Sequence, residues 1–336
     1  MGDNVNTYGD ISPRTAAYVV ADLLKRGVYL MVTERFGQSK PLPQKSTRTM
    51  KFRRYEALSI PTAPLAEGVP PDGQKLTKTD IQCTLEQEGD YIEITDVIQD
   101  THEDPIMQES KDLLTQQYAE TLESRRVAVL KAGTSVYYAN GTTRAGLNSF
   151  FTRGQLRKIV RALKANKAKF FTQILGATAK YATEPVGPCF WAMGSTDLES
   201  DIRDLPGFVP IEKYSDSEKA IPGEVGKVEN IRFVLTPLFE SWGHAGLAVG
   251  ADGKISDNAT NNDVYPVIIV APDSYAIVPM KGKNALDLKV VNPEQPSKSD
   301  PLGQRGSIGW KTWHTAVILN DNWIARIECC ATANPA

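Results

Sequence analysis

The chain has 336 residues, of which 41% are hydrophobic, and its 38 basic and 40 acidic side chains give a net charge of −2. This length favours one large domain or two closely connected ones, and the near-neutral charge argues against a dedicated nucleic-acid-binding protein. The first residues are polar and acidic, unlike a signal peptide, and no apolar run is long enough for a membrane span, so synthesis in the cytosol is expected. Four cysteines without a CxxC pair indicate reduced thiols.

Two short segments open the chain. Ser12 and Pro13 form a start signal for a helix that Gly27 would end. Residues 37–46 (GQSKPLPQKS) contain two prolines and no periodicity, as expected of an arm that crosses a surface, although a plain linker would look the same.

Residues 47–97 predict a long β-hairpin of weakly apolar composition. One limb covers 49–58 and the other 76–98, with a proline-rich tip between them and a break at Gly89-Asp90. Two long strands that cannot bury a face of their own need another surface to lie on. We therefore expect a projecting loop that packs against a neighbouring molecule.

The strongest helical signal covers residues 104–132. Asp104 can cap the first free amides, Pro105 suits the first helical position, and Gly133 suits a left-handed exit. At 1.5 Å per residue this helix is about 40 Å long, so it is expected to serve as a spine against which a sheet packs. Its apolar face would be formed by Ile106, Leu113, Leu114, Tyr118, Leu122 and Val129.

A second amphipathic helix is predicted over residues 156–168. Its inward residues would be Leu156, Ile159, Val160 and Leu163. The surrounding sequence is strongly basic and contains no acid; its cations are Arg153, Arg157, Lys158, Arg161, Lys164, Lys167 and Lys169.

Residues 171–303 have α/β character. Strands are predicted over 189–193, 231–235, 264–270 and 275–278. A helix capped by Ser195 is predicted over 195–205 with the stripe Leu198, Ile202 and Leu205. Its acids are interpreted as a solvated face in preference to a metal cluster; they are Asp197, Glu199, Asp201 and Asp204. Residues 242–263 are rich in Gly and Asn and predict a flexible excursion.

The last predicted element is a β-hairpin over residues 307–330. Two β-runs flank Asn320-Asp321, and Trp310, Trp313 and Trp323 lie in or beside them.

The sequence contains no motif typical of an enzyme. The nearest match to a phosphate-binding loop, GEVGK at 223–227, has the wrong spacing, and no GxGxxG follows a strand. His102, His244 and His314 stand far apart and form neither HExxH nor a zinc-ligand pattern. No catalytic residue, cofactor or metal is therefore expected, and a hydrogen-bonded packing role inside a strand is favoured for His314.

Four blocks of sequence resemble one family. They are FFTRGQLRKIVRALKANKAKFFT (150–172), DLESDIRDLPGFVPIEKY (197–214), IPGEVGKVENIRFVLTP (221–237) and SDPLGQRGSIGWKTWHTAVILNDNWIARIE (299–328). In these blocks the chain resembles the major capsid proteins of tailed bacteriophages related to podovirus N-four. That family is similar in fold to the Hong Kong 97 type coat protein, so the resemblance implies an α+β fold of this type.

The resemblance also implies a division into parts. These are an N-terminal arm (1–46), an extended loop (47–100), a peripheral domain (101–170) with the spine helix (104–132), an axial domain (171–303) and a return to the peripheral domain (304–336). The final hairpin would then lie beside the spine helix.

The function implied by the resemblance is structural. Many copies would tile an icosahedral shell around phage double-stranded DNA as hexamers and pentamers, assembling in the host bacterial cytoplasm and ending in the virion. Expected partners are other copies of the chain, portal and scaffolding proteins and, as a further candidate, decoration proteins; no membrane is expected. The shell of an encapsulin-like cellular nanocompartment is the alternative, and an α/β enzyme or binding module is a more distant one.

Charge is segregated along the predicted loop, with basic residues in 40–58 and acids in 79–110. The two limbs can pair within one hairpin, but this uses only part of the acidic excess. Contacts between subunits are therefore predicted for Arg48, Lys51, Arg53, Arg54, Glu86, Glu88, Asp90, Glu93, Arg157, Arg161 and Lys164. The last three could instead meet packaged phosphate. Acids of a neighbouring subunit are favoured because the near-neutral charge does not suggest a shell lined for DNA.

Overall fold

The fold is known from a computed structural model. It describes residues 5–6, 31–45, 47–61, 64, 73–101, 106–175, 183–214, 220–221, 223–250, 253–281, 288–293, 296 and 300–333. The helix predicted from Ser12 to Gly27 and the capping residues Asp104 and Pro105 lie outside these residues. None of the described helices is long and apolar enough to cross a bilayer.

The chain alternates helices and strands. The helices are α1 (Thr33–Phe36), α2 (Asp96–Thr101), α3 (Ile106–Lys131), α4 (Arg153–Ala165) and α5 (Glu199–Arg203). The strands are β1 (Val5–Asn6), β2 (Gln38–Ser39), β3 (Thr49–Tyr55), β4 (Lys78–Thr84), β5 (Glu86–Thr95), β6 (Val136–Tyr138), β7 (Phe171–Leu175), β8 (Thr183–Gly194), β9 (Phe208–Pro210), β10 (Glu224–Val228), β11 (Ile231–Leu235), β12 (Tyr265–Val270), β13 (Tyr275–Pro279), β14 (Leu288–Val291), β15 (Arg305–Ile318) and β16 (Ile324–Cys329).

Three sheets organise these strands within the described residues. The large sheet has the order β6-β16-β12-β8-β11-β10-β9, with β7 paired to β8. The spine sheet has the order β1-β5-β15-β13-β2, with β14 paired to β15. Strands β3 and β4 form a separate two-stranded ribbon.

The large sheet is buried on both faces. Alternate residues of β8 show this: Phe190 belongs to one hydrophobic cluster, with Leu156 and Ile159 of α4, and Trp191 belongs to the other, with Leu130 of α3 and Phe36 of α1. A strand that is buried on both faces has a continuous apolar sequence. Because β11 and β12 have such sequences, the amino-acid pattern predicts them well. The predicted strand 231–235 is confirmed at both ends.

The spine sheet carries helix α3. Leu114 and Tyr118 pack against Trp310 and Ile308 of β15, so the predicted spine lies on a sheet as expected. The predicted stripe is only partly correct. Leu114 and Leu122 are buried, but Leu113 is 38% exposed. Its place on the inner face is taken by other residues, of which Glu123 and Arg126 are charged.

The two other predicted helices are confirmed with shifted ends. Helix α4 starts at Arg153 because Thr152 and Gln155 form a capping box, three residues before the predicted start. It stops at Ala165, and Lys167 adopts a positive φ of 57° just beyond it. The predicted helix 195–205 begins as a 3-10 turn capped by Ser195 and continues as α5, with its predicted stripe buried.

The hairpin predicted over residues 47–97 is shorter than expected. Its return limb ends at Thr84, Leu85 is buried, and β5 then pairs with β15 in the spine sheet. The predicted break at Gly89-Asp90 is wrong, because β5 runs through it. Gly89 is required there by a close approach: a Cβ at this position would lie 2.5 Å from the carbonyl oxygen of Trp310.

The terminal hairpin prediction is also wrong. Both β-runs exist, but β15 belongs to the spine sheet and β16 pairs with β12 and β6 in the large sheet. A tight hairpin turn needs positive φ at its central residues, and no residue between 318 and 324 has one. Instead, Asn320 caps a short 3-10 turn that starts at Asp321.

Two loop predictions need correction. Gly133 does not adopt a positive φ; a Cβ there would lie 3.3 Å from the Oδ1 atom of Asp321, so the glycine serves a close approach. The excursion predicted over 242–263 is hydrogen-bonded to the body of the protein along its described residues. Trp242 and Val264 exchange two backbone hydrogen bonds, and the Leu247 amide donates to the Leu147 carbonyl at 2.9 Å.

Candidate assembly surfaces

The ribbon of β3 and β4 contacts the rest of the chain at one end. Met50, Phe52 and Cys83 pack on a small cluster that includes Leu85 and Val278. Beyond that contact the described residues are exposed without interruption, over 55–61 and over 73–80. The ribbon therefore has a buried base and an outer part that the described residues leave exposed.

The outer ribbon exposes large apolar side chains. Tyr55 is 58% exposed, Leu58 54%, Ile60 83% and Leu76 64%. Single exposed apolar residues are common on soluble proteins, but a group in one short projection is typical of an interaction surface. We call these four residues the ribbon apolar group.

Charged residues of the ribbon pair within the chain. Arg53 donates two hydrogen bonds to Asp80, at 2.8 and 3.2 Å, and this lowers the pKa of the Asp80 carboxyl. Arg54 donates to Glu56 at 3.2 Å; hydrogen bonds from Thr79 and then from Arg54 lower the pKa of Glu56. Pairing of opposite charges across one hairpin, without a neighbouring subunit, therefore accounts for Arg53.

The remaining cations predicted on this limb, Arg48 and Lys51, are exposed. Neither makes an ion pair with a described residue.

The acidic strand β5 is tied to the spine helix of the same chain. Glu88 forms an ion pair with Arg125 at 2.8 Å, and Asp90 accepts a hydrogen bond from Gln117 at 2.6 Å. Glu86 is exposed at the start of the strand, and Glu93 is half-buried. The acids predicted to meet neighbours are thus partly engaged by α3.

The basic helix α4 divides into two groups. Arg153 and Arg157 converge on Glu229 in the turn between β10 and β11; the Nη2 atom of Arg157 lies 2.8 Å from Glu229 Oε1. These two contacts lower the pKa of Glu229. Arg161 and Lys164 are exposed and form no ion pair with a described residue, although the Lys164 ammonium lies 5.1 Å from the Phe170 ring centroid.

Sequence reasoning missed a buried ion pair inside the large sheet. Arg232 and Glu224 are joined by two hydrogen bonds of 2.6 and 2.7 Å, and the Tyr214 hydroxyl donates to Glu224 at 2.7 Å. The Arg232 guanidinium also lies 4.7 Å from the Trp191 ring centroid. A charged residue inside an otherwise apolar strand, IRFVL, was the available signal.

A second missed group lies where β16 meets the loop after β6. Glu328 is fully buried and accepts two hydrogen bonds of 2.7 Å from Arg144. Arg326 pairs with the same carboxylate at 3.0 Å, and Arg144 stacks on the Trp242 ring at 3.7 Å. This group fastens the segment predicted to be a flexible excursion.

The third missed group attaches the N-terminal segment to the spine. Glu123 of α3 accepts hydrogen bonds from the amides of Val32 and Thr33, at 3.1 and 3.0 Å, and one from the Thr33 hydroxyl. Burial raises the pKa of Glu123, against the effect of the Thr33 bonds. The sequence carried only a weak signal, a glutamate on the buried side of an amphipathic helix.

Two of the candidate acids have partners within the chain, whereas the buried Nδ1 atom of His314 has no hydrogen-bond partner among the described residues. The hydrogen bond expected for His314 is therefore not found at that atom. Asp201 accepts hydrogen bonds from Thr332, and Glu199 pairs with Arg203 at 2.8 Å. Burial lowers the pKa of His314 to about 4, so this side chain is neutral at physiological pH. In the part of the chain that the structure describes, which omits His102, no group of three or more His, Cys, Asp or Glu side chains could hold a metal ion.

Comparison with known proteins gives two kinds of similarity. The chain is 25% identical over 195 residues to the major capsid protein of Pseudomonas phage KPP21, an alignment that covers 54% of this chain and 48% of that protein. The match thus spans about half the length of the curated relative. Among solved structures, the capsid of Ralstonia phage GP4 matches with a TM-score of 0.66 at 11% identity, covering 100% of both chains.

A cellular shell protein is also similar. An encapsulin complex from Synechococcus elongatus PCC 7942 matches with a TM-score of 0.52 at 9% identity, covering 95% of this chain and 91% of that one. At such identities the likeness concerns the fold alone, and it confirms the expected α+β shell-protein fold of the Hong Kong 97 type.

A family model described as phage capsid protein matches residues 78–327, which is most of the chain. The matched region includes the acidic strand, the spine helix, the basic helix and most strands of the large and spine sheets. The resemblance deduced from the four sequence blocks is confirmed: this chain belongs to the phage capsid protein family.

Proposed function

We propose that this protein is a major capsid subunit. Many copies assemble as hexamers and pentamers into an icosahedral shell that encloses phage double-stranded DNA. The observation that carries the proposal is the ribbon, whose outer part exposes the ribbon apolar group (Tyr55, Leu58, Ile60 and Leu76) without cover from any described residue. Membership of the phage capsid family supplies the context for this feature.

The ribbon suits contacts between identical subunits placed head to tail. In such a heterologous contact, one surface patch meets a different patch on the next copy, and repetition closes a ring. An apolar projection on one side of each subunit can then lie on the body of the next. Burial of apolar surface contributes about 25 cal/mol per Å², so four large side chains give a substantial part of one contact.

The charged residues differ in whether they already have a partner within the chain, and this decides which of them can pair with a neighbouring subunit. Arg48, Lys51 and Glu86 are exposed and form no ion pair with a described residue, so they are the candidates for pairing between subunits. Arg53, Arg54, Glu88, Asp90 and Arg157 already have partners in the chain, and Glu93 is half-buried. These six can take part only by sharing or exchanging partners.

The proposed domain organisation is the one implied by the family resemblance. The arm (1–46), the loop (47–100), the peripheral domain (101–170), the axial domain (171–303) and the return (304–336) remain our assignment. The spine helix on its sheet supports a peripheral body, and the large sheet with α5 supports an axial body. Helix α4 stays in the peripheral domain in this assignment, although its buried residues pack on the large sheet. The return segment contributes β15 to the first and β16 to the second.

The remaining roles follow from a shell subunit. We assign the protein no enzymatic activity, a location in the virion and assembly in the host cytoplasm. Portal and scaffolding proteins, and decoration proteins in addition, are the further partners that a growing shell would require. A second candidate function is the shell of a cellular nanocompartment, which the similarity to an encapsulin supports.

Expression of the chain alone tests the proposal. Native mass spectrometry and negative-stain electron microscopy should detect rings of five or six copies and closed shells. A monodisperse small species that never forms rings would contradict a shell function of either kind. Shells that form and recruit a protein cargo in place of DNA would favour the nanocompartment.

A further inference from the structure

Helix α4 presents cations that no described carboxylate neutralises. After Arg153 and Arg157 have paired with Glu229, five exposed cations remain in and just beyond the helix, and none of them lies within 4 Å of a described carboxylate. We call them the α4 basic face: Lys158, Arg161, Lys164, Lys167 and Lys169.

The helix geometry concentrates these charges. Leu156, Ile159, Val160 and Leu163 are buried against the large sheet. With 3.6 residues per turn, Lys158 and Arg161 fall on the side of the helix opposite the buried residues, and Lys164 falls on its flank. The three cations span about 9 Å of the helix axis. The charge is therefore displayed outward on a rigid element, although the whole chain has a net charge of only −2.

The sequence leaves two candidate partners for the α4 basic face, which are acids of a neighbouring subunit and the backbone of a nucleic acid. The structure pairs two acids of the predicted loop with cations of the same chain, Asp80 with Arg53 and Glu88 with Arg125, and leaves Glu86 exposed without a described cation. A phosphate backbone supplies closely spaced negative charge without a matching pattern of side chains.

We propose that the α4 basic face binds the phosphate backbone of double-stranded nucleic acid without sequence preference. The inference rests on the proposed function in one respect, namely that a shell filled with DNA brings the polymer to this face. In the assembled particle α4 then faces the lumen. The near-neutral net charge of the chain is compatible with this, since the charges that matter are those on one face.

Binding of a 30-base-pair DNA duplex to the purified unassembled full chain, measured across a salt series, tests the proposal. Each phosphate contact contributes about 0.9 to the slope of log K against log salt. The variant K158Q/R161Q/K164Q should lower the slope by about 3 and weaken binding on the order of 100-fold at 0.1 M salt. Glutamine suits an exposed helical position, so the helix should be retained.

Two further variants separate local from total charge. K75Q/K111Q/K281Q makes the same change in net charge away from α4 and should bind the duplex like the native chain. Glu229→Gln removes the carboxylate that holds Arg153 and Arg157. It should therefore strengthen binding and raise the slope by up to about 2.

The outcomes separate this proposal from the proposed function. If the native chain does not bind the duplex, or if the α4 and control variants weaken binding equally, the basic face is not a nucleic-acid site, whatever shells the protein forms. If K158Q/R161Q/K164Q binds DNA normally but no longer assembles, neighbouring acids are the partner. Failure of the native chain to assemble, with DNA binding intact, would instead contradict the shell function.

Discussion

The large sheet and the ribbon bury their side chains to opposite extents. In β11 and β12 every residue is buried, with helices on one side and the spine region on the other. In the outer ribbon, over 55–61 and 73–80, every described residue is exposed. The apolar side chains of the first region are covered within the same chain, whereas those of the ribbon apolar group are 54–83% exposed.

This difference indicates which process each region stabilises, folding of the subunit or assembly of the shell. A strand buried on both faces stabilises the folded subunit, because its apolar surface leaves water on folding. The ribbon apolar group leaves water only when a second molecule covers it. Substitutions in the large sheet should therefore change the stability of the subunit, and substitutions in the ribbon should change assembly.

The largest expected effect comes from truncating the core of the large sheet. Phe233 is fully buried, so Phe233→Ala should lower the free energy of unfolding by about 3–5 kcal/mol. Denaturant unfolding of the unassembled chain measures this, with Leu58→Ala of the ribbon as the matched control. Equal losses in the two variants would mean that the ribbon belongs to the folding core.

A similar loss is expected from breaking the buried ion pair. Arg232→Met leaves the Glu224 carboxylate buried without its cation, which costs about 3–5 kcal/mol. Adding Glu224→Gln removes the charge and should recover much of the loss, because the amide oxygen can still accept from the Ile221 amide while the NH2 group donates to the Tyr214 hydroxyl oxygen. If the double variant is no more stable than Arg232→Met, the uncompensated charge is not the cause.

A smaller effect is expected from pH. The pKa of His314 falls to about 4 in the folded chain from its usual 6.5, so the unfolded state takes up a proton first as the pH decreases. The His314 contribution to stability is complete above about pH 6.5 and is lost as the pH falls toward 4. The neighbouring charges are Arg125 and Arg126 of α3, Glu34 of α1 and Glu86 across the strand pair.

The substitution His314→Asn should flatten the pH dependence of the melting temperature between pH 6.5 and 4. Ribbon variants should show the native pH dependence over the same range. If His314→Asn retains the full native slope, other groups, such as Glu123, control stability in this window.

The smallest effect on the subunit is expected from charge reversal on the ribbon. Arg53→Glu with Arg54→Glu should leave the subunit folded and reduce the yield of shells, since the pairs are exposed and exposed pairs contribute little to stability. Two rescues distinguish the partner. Recovery with Asp80→Arg indicates the pair within the chain, and recovery with Glu86→Lys indicates a neighbour.

Elements defined by local pattern could be predicted from the sequence. The strand 231–235 and the inward residues of α4 follow from apolar periodicity, because neighbours in sequence determine which face is buried. The pairing of the acidic strand β5 could not be predicted in this way. The sequence predicted that β5 belongs to the hairpin of 47–97, but its partner β15 lies more than 200 residues later. The residues Asn320-Asp321 are typical of a hairpin turn, but the strands on either side of them, β15 and β16, belong to different sheets.

The same limit applies to the candidate surfaces. The sequence identified a weakly apolar projecting loop and a basic helix, and both exist. It could not identify Glu229 as the partner of Arg157, because the two are 72 residues apart and no pattern links a turn acid to a helix. Which cations remain available could be determined only after such pairs had been located.

The most direct test of this account shortens the segment between Ser59 and Lys75, which joins the two limbs of the ribbon. The melting temperature of the unassembled chain and the yield of shells by electron microscopy are measured on the same preparation. We predict a nearly unchanged melting temperature and a severe loss of shells. A subunit that loses most of its stability, while shells still form, would show that the ribbon stabilises the fold and not the assembly.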